Sequence, residues 1–229
     1  QEYERTLITV MNAYIGPSMS NYLASFEDNL KAVQISPHVK IVRSDGGLMS
    51  VQNASSLPVH TMLSGPAGGV SGAAHLAKLA GYENALAFDM GGTSTDVSLI
   101  QDGAPLFSRR TKLGNYPIKI PSVEVNSVGV GAGSIAQVSM TGALRIGPDN
   151  ASATPGPACY GKGGEEPTVT DANLLLGRLP SRLLDGQMGL DLKAAEEAVG
   201  KIARRLELDL YKAAQGMLDI VNENLFGEL

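Results

Sequence analysis

The sequence predicts an α/β protein in which helices flank a mixed sheet and glycine-rich loops lie near a ligand. Apolar residues recur at helical spacing in five segments: 3–34, 64–81, 168–179, 192–206 and 209–226. Shorter segments have the alternation or composition of strands, at 39–43, 84–88, 97–100, 104–109, 117–121 and 123–126. Short turns join the last three to each other, which predicts an antiparallel meander at the sheet edge. Glycine accounts for 27 of the 229 residues and clusters between segments, which favours ligand-side loops over random flexibility.

The segment 88–97 reads FDMGGTSTDV and carries most of the functional information. An apolar run leads into it, and an alternating segment begins at Val97, so we predict a strand, a tight Gly-Gly turn and a second strand. Because Gly91 and Gly92 lack a Cβ, the turn can adopt positive φ and a ligand can approach its backbone closely. Consecutive N–H groups in such a turn form a concave anion site.

Polar side chains surround this predicted turn. Thr93, Ser94 and Thr95 would add hydroxyl donors to the anion site. Asp89 and Asp96 would repel phosphate but suit a Mg²⁺ ion and its water shell, which can bridge to phosphate oxygens. The alternative is a plain hairpin with two solvated carboxylates. No Gly-Lys-Ser/Thr follows, so this is not a Walker A loop; the segment resembles the phosphate-binding hairpin of the sugar kinase, heat-shock ATPase and actin superfamily.

Composition argues against several classes of function. The formal net charge is −5 and no basic stripe occurs, so nucleic acid is not expected as the main partner. No apolar run reaches membrane-spanning length and no secretory signal is recognised, so no membrane association is expected. The single cysteine, Cys159, rules out an internal disulfide and fits a cytoplasmic location. Both ends of the chain lie in helix-like patterns, so we expect a fragment of a longer protein.

The first helical segment contains a helix breaker. Pro17 lacks an N–H group and its ring clashes with the preceding turn of a helix. We therefore expect 3–34 to form two helices that meet at 15–18.

The other helices have capping signals. Ser64 is the expected N-cap of 64–81, and the small residues of that helix indicate either close packing or an N-terminus aimed at an anion. Residues 168–171, Asp191 and Asp209 are expected to start the last three helices.

A second glycine-rich stretch, SVGVGAGSIA, lies at 127–136. Its glycines alternate, at Gly129, Gly131 and Gly133, and Ser134 then begins a predicted strand. It lacks the helix start and downstream acid of a dinucleotide-binding fingerprint, so it is either a bulged loop between strands or a ligand loop. Glu124 and Asn126, just before it, are the polar groups expected to face whatever the loop holds.

The stretch 147–167 is a long loop dense in glycine and proline. Loops of this length in a compact domain are usually functional or disordered, and the specific sequence argues against disorder. Cys159 and Tyr160 lie at its centre. Cys159 is either a packed thiol or a nucleophile; no histidine lies near it in sequence to activate it, which favours the packed thiol.

Several motifs together resemble one family across nearly the whole chain. They are GGLMS at 46–50, LSGPAGGVSGA at 63–73, FDMGGTSTDVSLI at 88–100, GSIA at 133–136, PGPACYG at 155–161 and EPTVTDANLLLGRL at 166–179. On these motifs the chain is identified as a member of the hydantoinase A family. This is the ATP-dependent N-methylhydantoinase and 5-oxoprolinase group, with the related ketone carboxylase subunits.

The resemblance implies an actin-like ATPase fold, built from ribonuclease-H-like lobes with ATP between them. Residues 1–229 would be the central part of the hydantoinase A domain, a fragment without the N-terminal phosphate-motif domain and the C-terminal adenosine-motif segment, and inactive alone. The implied activity of the intact protein is ATP-dependent opening of a cyclic amide through phosphorylation of its carbonyl. The substrate would be a hydantoin, an N-methylhydantoin or 5-oxoproline. The alternatives are a ketone carboxylase-type subunit and a non-enzymatic, actin-like, nucleotide-gated partner subunit.

The resemblance also implies roles for residues, with ATP and Mg²⁺ as cofactors. The candidate catalytic residues are Asp89, Asp96, Glu124 and Asn126, with Asp89 and Asp96 also managing Mg²⁺ through water. The phosphate-binding residues would be Gly91, Gly92, Thr93, Ser94 and Thr95. The substrate-side loops would contribute Gly129, Gly131, Gly133, Ser134, Cys159 and Tyr160. Asn126 stands where His is common in the family and Thr154 where Asp is usual. A hydantoinase B-type subunit and an oligomeric intact protein are the expected assembly.

Overall fold

The computed structural model describes residues 2–35, 38–114 and 116–227, with the side chains of 111–113 excepted. The chain divides into two compact units. Unit 1 consists of the residues up to Ala87 and of Ser98–Val125, and unit 2 consists of Phe88–Val97 and the residues from Asn126 onward. The predicted phosphate turn and the glycine-rich loop that follows Val128 therefore belong to the same unit.

The described residues form both helices and short strands, which confirms the α/β class. The helices are α1 (Glu2–Ala32), α2 (Val51–Ser56), α3 (Ser64–Leu79), α4 (Val169–Leu175), α5 (Leu192–Leu206) and α6 (Leu210–Phe226), and 3-10 turns cover Pro58–Thr61 and Ala158–Tyr160. The first strands are β1 (Lys40–Val42), β2 (Leu48–Ser50), β3 (Ala85–Met90), β4 (Thr95–Gln101), β5 (Ala104–Pro105), β6 (Phe107–Ser108) and β7 (Thr111–Leu113). The later strands are β8 (Tyr116–Ile118), β9 (Ser122–Val123), β10 (Asn126–Val128), β11 (Ser134–Val138), β12 (Leu144–Asn150), β13 (Arg182–Leu183) and β14 (Met188–Gly189).

The strands pair in short ladders. One sheet has the order β10–β4–β3, with β5 on the end of β4, and the other pairs are β1–β2, β6–β9, β7–β8, β11–β12 and β13–β14. Every ladder whose register is defined within the described residues is antiparallel, and most join strands whose connection is too short for a parallel crossover. The sequence predicts a mixed sheet, and the strand pairs with a defined register in this part of the chain are its antiparallel component. Of the predicted meander, β5 does return along β4, but β6 to β9 pair among themselves.

The prediction that α1 breaks at Pro17 is wrong, because one helix continues from Glu2 to Ala32 with Pro17 inside it. Its two halves both pack within unit 1. Ile8 and Met11 contact a buried cluster formed by Val59, Ile118 and Ile120, whereas Leu23 is buried with Met49, Val51 and Ala54. Because tertiary contacts hold the helix on both sides of the proline, they outweigh the hydrogen bond that it removes.

The predicted N-cap of α3 is also wrong by one residue. Ser64 is already helical, the N-cap is Leu63, and no side chain caps the helix there. The hydroxyl of Ser44 instead binds a backbone group at the helix start. It accepts a hydrogen bond from the Leu63 N–H at 3.1 Å and donates to the His60 carbonyl at 2.8 Å. Close packing of small residues is seen at this helix, where a Cβ on Gly46 would lie 2.8 Å from the Ser71 hydroxyl.

The core of unit 2 is formed by α4, α5 and α6 packed on β11 and β12. Its buried side chains include Val138, Ile146, Val169, Leu174, Val199, Ile202, Met217, Leu218 and Val221. The three predicted helix starts are confirmed: Asp191 caps α5 by accepting from the Ala194 N–H, Asp209 caps α6 by accepting from the Lys212 N–H, and Thr168 with Asp171 forms a capping box on α4.

Two boundaries differ from the sequence prediction. α4 ends at Leu175 and not at residue 179, because Gly177 adopts a φ of +68° and its N–H bonds back to the Leu174 carbonyl. The loop predicted to start at 147 starts after Asn150, because β12 continues to that residue. Among the described helices, none combines the length and the apolar character needed to cross a bilayer.

Candidate functional site

The Gly-Gly turn joins β3 to β4 as predicted and is exposed to solvent. It is closed by a hydrogen bond from the Gly91 N–H to the Ser94 carbonyl, at 2.9 Å. Neither Gly91 nor Gly92 adopts positive φ, so the expected conformational reason for these glycines does not apply. The remaining reason for glycine here is close approach of a ligand to the backbone, since no protein atom would lie within 4 Å of a Cβ on Gly92. A ligand can therefore reach the backbone at Gly92 without an obstructing side chain.

The glycine-rich loop 129–133 packs directly behind this turn. The Ala132 N–H donates to the Gly91 carbonyl at 2.9 Å, and the Gly133 N–H donates to the Gly92 carbonyl at 2.7 Å. A Cβ on Gly131 would lie 2.7 Å from the backbone N and C of Thr93, a distance that real Cβ atoms do not reach. The loop can contact the turn in this way only because residue 131 has no side chain.

The same contacts determine where the N–H groups of the turn point. In a planar trans peptide the C=O and the N–H point in opposite directions. Because the loop binds the carbonyls of Gly91 and Gly92, the N–H groups of Gly92 and Thr93 point away from the loop. Within the part of the chain that the structure describes, neither N–H donates a hydrogen bond to the protein. Two N–H donors that point away from the loop are thus available for an anion.

The three hydroxyl residues of the turn have different positions. Thr93 and Ser94 are exposed, and their hydroxyls have no partner among the described residues. Thr95 is fully buried and its hydroxyl donates to the Val130 carbonyl at 2.6 Å. Thr95, expected to hold phosphate, therefore anchors the loop behind the turn, and the hydroxyl donors open to a ligand are those of residues 93 and 94.

The two carboxylates of the hairpin differ in environment. Asp89 is exposed near the end of β3, and Asp96 is half-buried on β4. On the neighbouring β10, Ser127 lies directly opposite Asp96 and its hydroxyl donates to the Asp96 carboxylate. Asn126, also on β10, is exposed opposite Val97.

Glu124, predicted to face the glycine-rich loop, belongs to unit 1, whereas the loop belongs to unit 2, so its role at the site stays a prediction. Its side chain is exposed, and its backbone N–H donates to the Leu106 carbonyl at 2.8 Å. No group of three or more His, Cys, Asp or Glu residues suited to a metal ion occurs among the residues that the structure describes.

The loop residues predicted to line the substrate side act mainly inside the protein. Gly131, Gly133 and Ser134 are buried, and the Ser134 hydroxyl accepts from the Gly131 N–H at 2.9 Å. Gly129 is exposed at the loop's entrance. These residues shape the loop that supports the turn.

Sequence reasoning missed Asn150, at the end of β12. Its side-chain Nδ2 donates to the Gly92 carbonyl at 2.8 Å, and its Oδ1 accepts from the Ser152 N–H at 2.7 Å. The second contact is a local Asx turn, which is a common role of Asn where a strand enters a loop. The available sequence signal was thus that of a turn residue, with nothing to indicate a contact 58 residues away in sequence.

Cys159, at the centre of the long loop, is fully buried. Burial, followed by the neighbouring Asp171 carboxyl group, raises the pKa of the Cys159 thiol far above its usual range. Tyr160 is half-buried, and burial also raises the pKa of its hydroxyl. These environments favour the packed thiol over the nucleophile.

Asp171 connects this loop to α4. Its buried carboxyl group accepts hydrogen bonds from the Cys159 N–H at 2.8 Å, from the Thr168 N–H at 2.9 Å and from the Thr168 hydroxyl at 2.7 Å. The same residue thus completes the helix cap and fixes the centre of the loop.

Comparison with known proteins decides the family. A family model described as hydantoinase/oxoprolinase matches residues 5–228. The chain belongs to the hydantoinase/oxoprolinase family. The resemblance read from the sequence motifs is therefore confirmed.

Members of the hydantoinase/oxoprolinase family with different names are similar to this chain. It is 39% identical over 224 residues to the caprolactamase subunit alpha of Pseudomonas jessenii, a match that covers 97% of this chain and 32% of that subunit. It is 35% identical over 246 residues to 5-oxoprolinase 1 of Arabidopsis thaliana, covering 96% of this chain and 19% of that protein.

Solved structures agree with these likenesses. A nucleotide-free acetone carboxylase, described in connection with ATP-dependent acetone carboxylation, matches with a TM-score of 0.85 and 30% identity, covering 98% of this chain and 32% of that chain. The ATP-dependent caprolactamase of Pseudomonas jessenii matches with a TM-score of 0.79 and 36% identity, covering 100% of this chain and 33% of that chain. Both likenesses agree with the actin-like ATPase fold class expected from the sequence. The chain spans about a third of the length of the caprolactamase subunit and of the carboxylase chain.

Proposed function

We propose that the protein containing this chain is an ATP-dependent hydrolase that opens a cyclic amide, with a hydantoin, an N-methylhydantoin or 5-oxoproline as its substrate. The observation that carries the proposal is the turn at Gly91–Ser94, where carbonyl groups are bound from behind and two N–H groups are left for an anion. Family membership and the ATP dependence in the names of the matching structures support ATP as the source of that anion.

The residues of the turn suit a nucleotide phosphate. The N–H groups of Gly92 and Thr93 and the hydroxyls of Thr93 and Ser94 can bind phosphate oxygens in the way that known phosphate-binding loops do. Asp89 and Asp96 suit Mg²⁺, which usually keeps several waters and binds through one or two carboxylates plus substrate phosphates. The absence of a three-residue metal cluster in the described residues is compatible with that mode of binding.

The proposed chemistry uses phosphate to overcome the low reactivity of an amide. ATP would transfer its γ-phosphoryl group to the amide oxygen, with ADP as the leaving group, which makes the carbonyl carbon electrophilic. Water would add to that carbon, the ring C–N bond would break as the nitrogen takes up a proton, and hydrolysis of the remaining acyl phosphate would release phosphate. The N–H groups of Gly92 and Thr93 would bind the charged phosphate oxygens from a fixed position, so they need no rearrangement during the transfer. The carboxylate of Asp96, which accepts a hydrogen bond from the Ser127 hydroxyl, would orient the reacting groups.

Phosphate release tests the proposal. The full-length protein is supplied with Mg·ATP alone and then with 5-oxoproline, hydantoins or caprolactam. We expect one cyclic amide to stimulate release, and Asp89→Ala to lower the stimulated rate by at least about tenfold, equivalent to roughly 1.4 kcal/mol. Asp149→Asn, which changes an exposed carboxylate of β12 that accepts a hydrogen bond from the Gln137 amide and none from the turn, is the matched control. Unchanged turnover in Asp89→Ala would remove the proposed role of Asp89.

Ketone carboxylation is the second candidate, because the acetone carboxylase structure matches this chain with the higher TM-score of the two structures above. It would use the same phosphate turn with a different acceptor. Phosphate release that requires both a small ketone and bicarbonate would favour it, whereas release with a cyclic amide alone would favour the hydrolase.

The assembly of the intact protein is also a proposal. Relatives named as subunit alpha of caprolactamase and as beta and gamma subunits of carboxylases support a partner subunit, which we propose to be of the hydantoinase B type. The requirement for Mg²⁺, the oligomeric state, the cytoplasmic location and the inactivity of the isolated chain stay predictions from the sequence.

A further inference from the structure

We infer that Asn150 is a positioning residue for phosphate binding, which it controls through the orientation of the Gly92–Thr93 peptide. The inference rests on the proposed function, since it assigns a determinant of the same anion site. Asn150 touches no proposed ligand atom itself. It acts on the opposite side of a peptide group whose N–H faces the ligand.

The geometry links one side-chain amide to one ligand-facing donor. Asn150 Nδ2 donates to the Gly92 carbonyl at 2.8 Å, and the Gly133 N–H donates to the same oxygen at 2.7 Å. A carbonyl oxygen has two lone pairs, so these two donors satisfy it fully. With its oxygen held from two directions, the peptide plane has little freedom to rotate, and the Thr93 N–H in that plane is held outward.

Asn150 is itself held in the orientation that this contact needs. Its Oδ1 accepts from the Ser152 N–H at 2.7 Å, which assigns Nδ2 to the side that faces Gly92. A Cβ on residue 133 would lie 2.9 Å from Asn150 Oδ1 and 2.9 Å from the Gly92 oxygen, so Gly133 leaves the space that Asn150 occupies. The end of β12, the glycine-rich loop and the phosphate turn thus meet at one amide group.

Removing the amide should weaken the anion site without dismantling it. The Gly133 N–H still binds the Gly92 carbonyl in Asn150→Ala, so that carbonyl keeps one of its two donors. We expect the affinity for Mg·ATP to fall about three- to tenfold, the range that corresponds to one neutral hydrogen bond. Asn150→Asp should lose more, because a carboxylate keeps the bond from Ser152 but places a negative charge against the Gly92 carbonyl.

The experiment compares two ligands in the full-length protein by titration calorimetry. Mg·ATP uses the turn, whereas adenosine has no phosphate and does not. The expected result is a fall in the ratio of the two affinities in Asn150→Ala and Asn150→Asp, with adenosine binding unchanged. Gln137→Ala is the matched control, because its amide donates to the Asp149 carboxylate at 3.0 Å on the same β-ladder and does not contact the turn.

Each outcome decides a different claim. An equal loss of affinity for both ligands would show a general structural role and overturn the positioning role. The positioning role would also be overturned if the ratio of Mg·ATP affinity to adenosine affinity in the Asn150 variants equals the ratio in the wild type and in Gln137→Ala. That outcome would leave the proposed function intact. A wild-type protein that binds ATP no better than adenosine would remove the proposed function and the role of Asn150 together. Circular dichroism identifies a variant that fails to fold, and the other Asn150 variant then provides the measurement.

Discussion

The contact between Gly131 and the phosphate turn gives a sharp prediction for Gly131→Ala. A Cβ at this position would lie 2.7 Å from the backbone N and C of Thr93 and 2.8 Å from the Gly91 oxygen. All three atoms are backbone atoms, so no side-chain rotation can relieve the overlap. The turn or the loop must move, and the hydrogen bonds between them must lengthen or break.

The cost follows from two contributions. Overpacking by one methyl group typically costs about 1–3 kcal/mol. The bonds from Ala132 to Gly91 and from Gly133 to Gly92 would be weakened as well, at roughly 1 kcal/mol each if lost. We therefore expect a loss of about 3 kcal/mol. Because each kcal/mol lowers the Tm by roughly 2–4 °C in domains of about 150–250 residues, the Tm should fall by about 6–12 °C.

Thermal unfolding followed by circular dichroism measures this effect, since the described chain contains no tryptophan to serve as a fluorescent reporter. The control is Gly129→Ala in the same loop, where a Cβ would meet no atom within 4 Å. That variant should melt like the wild type. Mg·ATP affinity should fall with stability in Gly131→Ala and stay unchanged in Gly129→Ala. A Gly131→Ala protein with wild-type melting and wild-type ATP affinity would refute the packing of loop 129–133 against the turn.

Two further predictions concern buried groups of unit 2. Thr95→Val keeps the side-chain shape but leaves the Val130 carbonyl without its donor, so denaturant unfolding should show a free energy of unfolding lower by about 1–3 kcal/mol. Thr95→Ser keeps the hydroxyl and should retain more of the stability. A Thr95→Ser protein less stable than Thr95→Val would contradict the assigned hydrogen bond. Because the pKa of Cys159 is raised in the folded protein, a thiol reagent should label native protein slowly, without the increase between about pH 7 and 9 that a thiol of ordinary pKa near 8.5 shows. By linkage, the unfolded state loses this proton first, so the stability from Cys159 is full below about pH 8.5 and is lost as pH rises above it. Cys159→Ala should lack that decline, and an equal decline in both proteins would assign it to other groups.

Local sequence signals predicted the parts of the fold that depend on local chemistry. Asp191 and Asp209 start α5 and α6 because a side-chain oxygen at an N-cap binds N–H groups within its own first turn. Pro17 shows the opposite case. Its effect on α1 depended on contacts from Ile8 and Leu23 to two separate clusters, and no signal near residue 17 reports those contacts.

The candidate site shows the same division. The strand, turn and strand at 88–97 were readable from the pattern of acid, glycines and hydroxyl residues. The different position of Thr95 was not readable, because the partner of its hydroxyl lies 35 residues away, at the Val130 carbonyl. The role of Asn150 was hidden for the same reason. Sequence spacing predicts which residues border a turn, but the direction of each side chain depends on the segment that packs behind it.

The buried carboxyl group of Asp171 has a consequence for the motion of the long loop. Separation of the loop from α4 would leave Asp171 Oδ1 without the Cys159 N–H, while Thr168 still binds Oδ2, and a buried acceptor atom without a donor is costly. The segment around Cys159 should therefore fluctuate together with the first turn of α4, and its amide should exchange with solvent as slowly as that of Thr168. The centre of this loop, for all its glycine and proline, is thus a rigid extension of the helix and does not act as a flap.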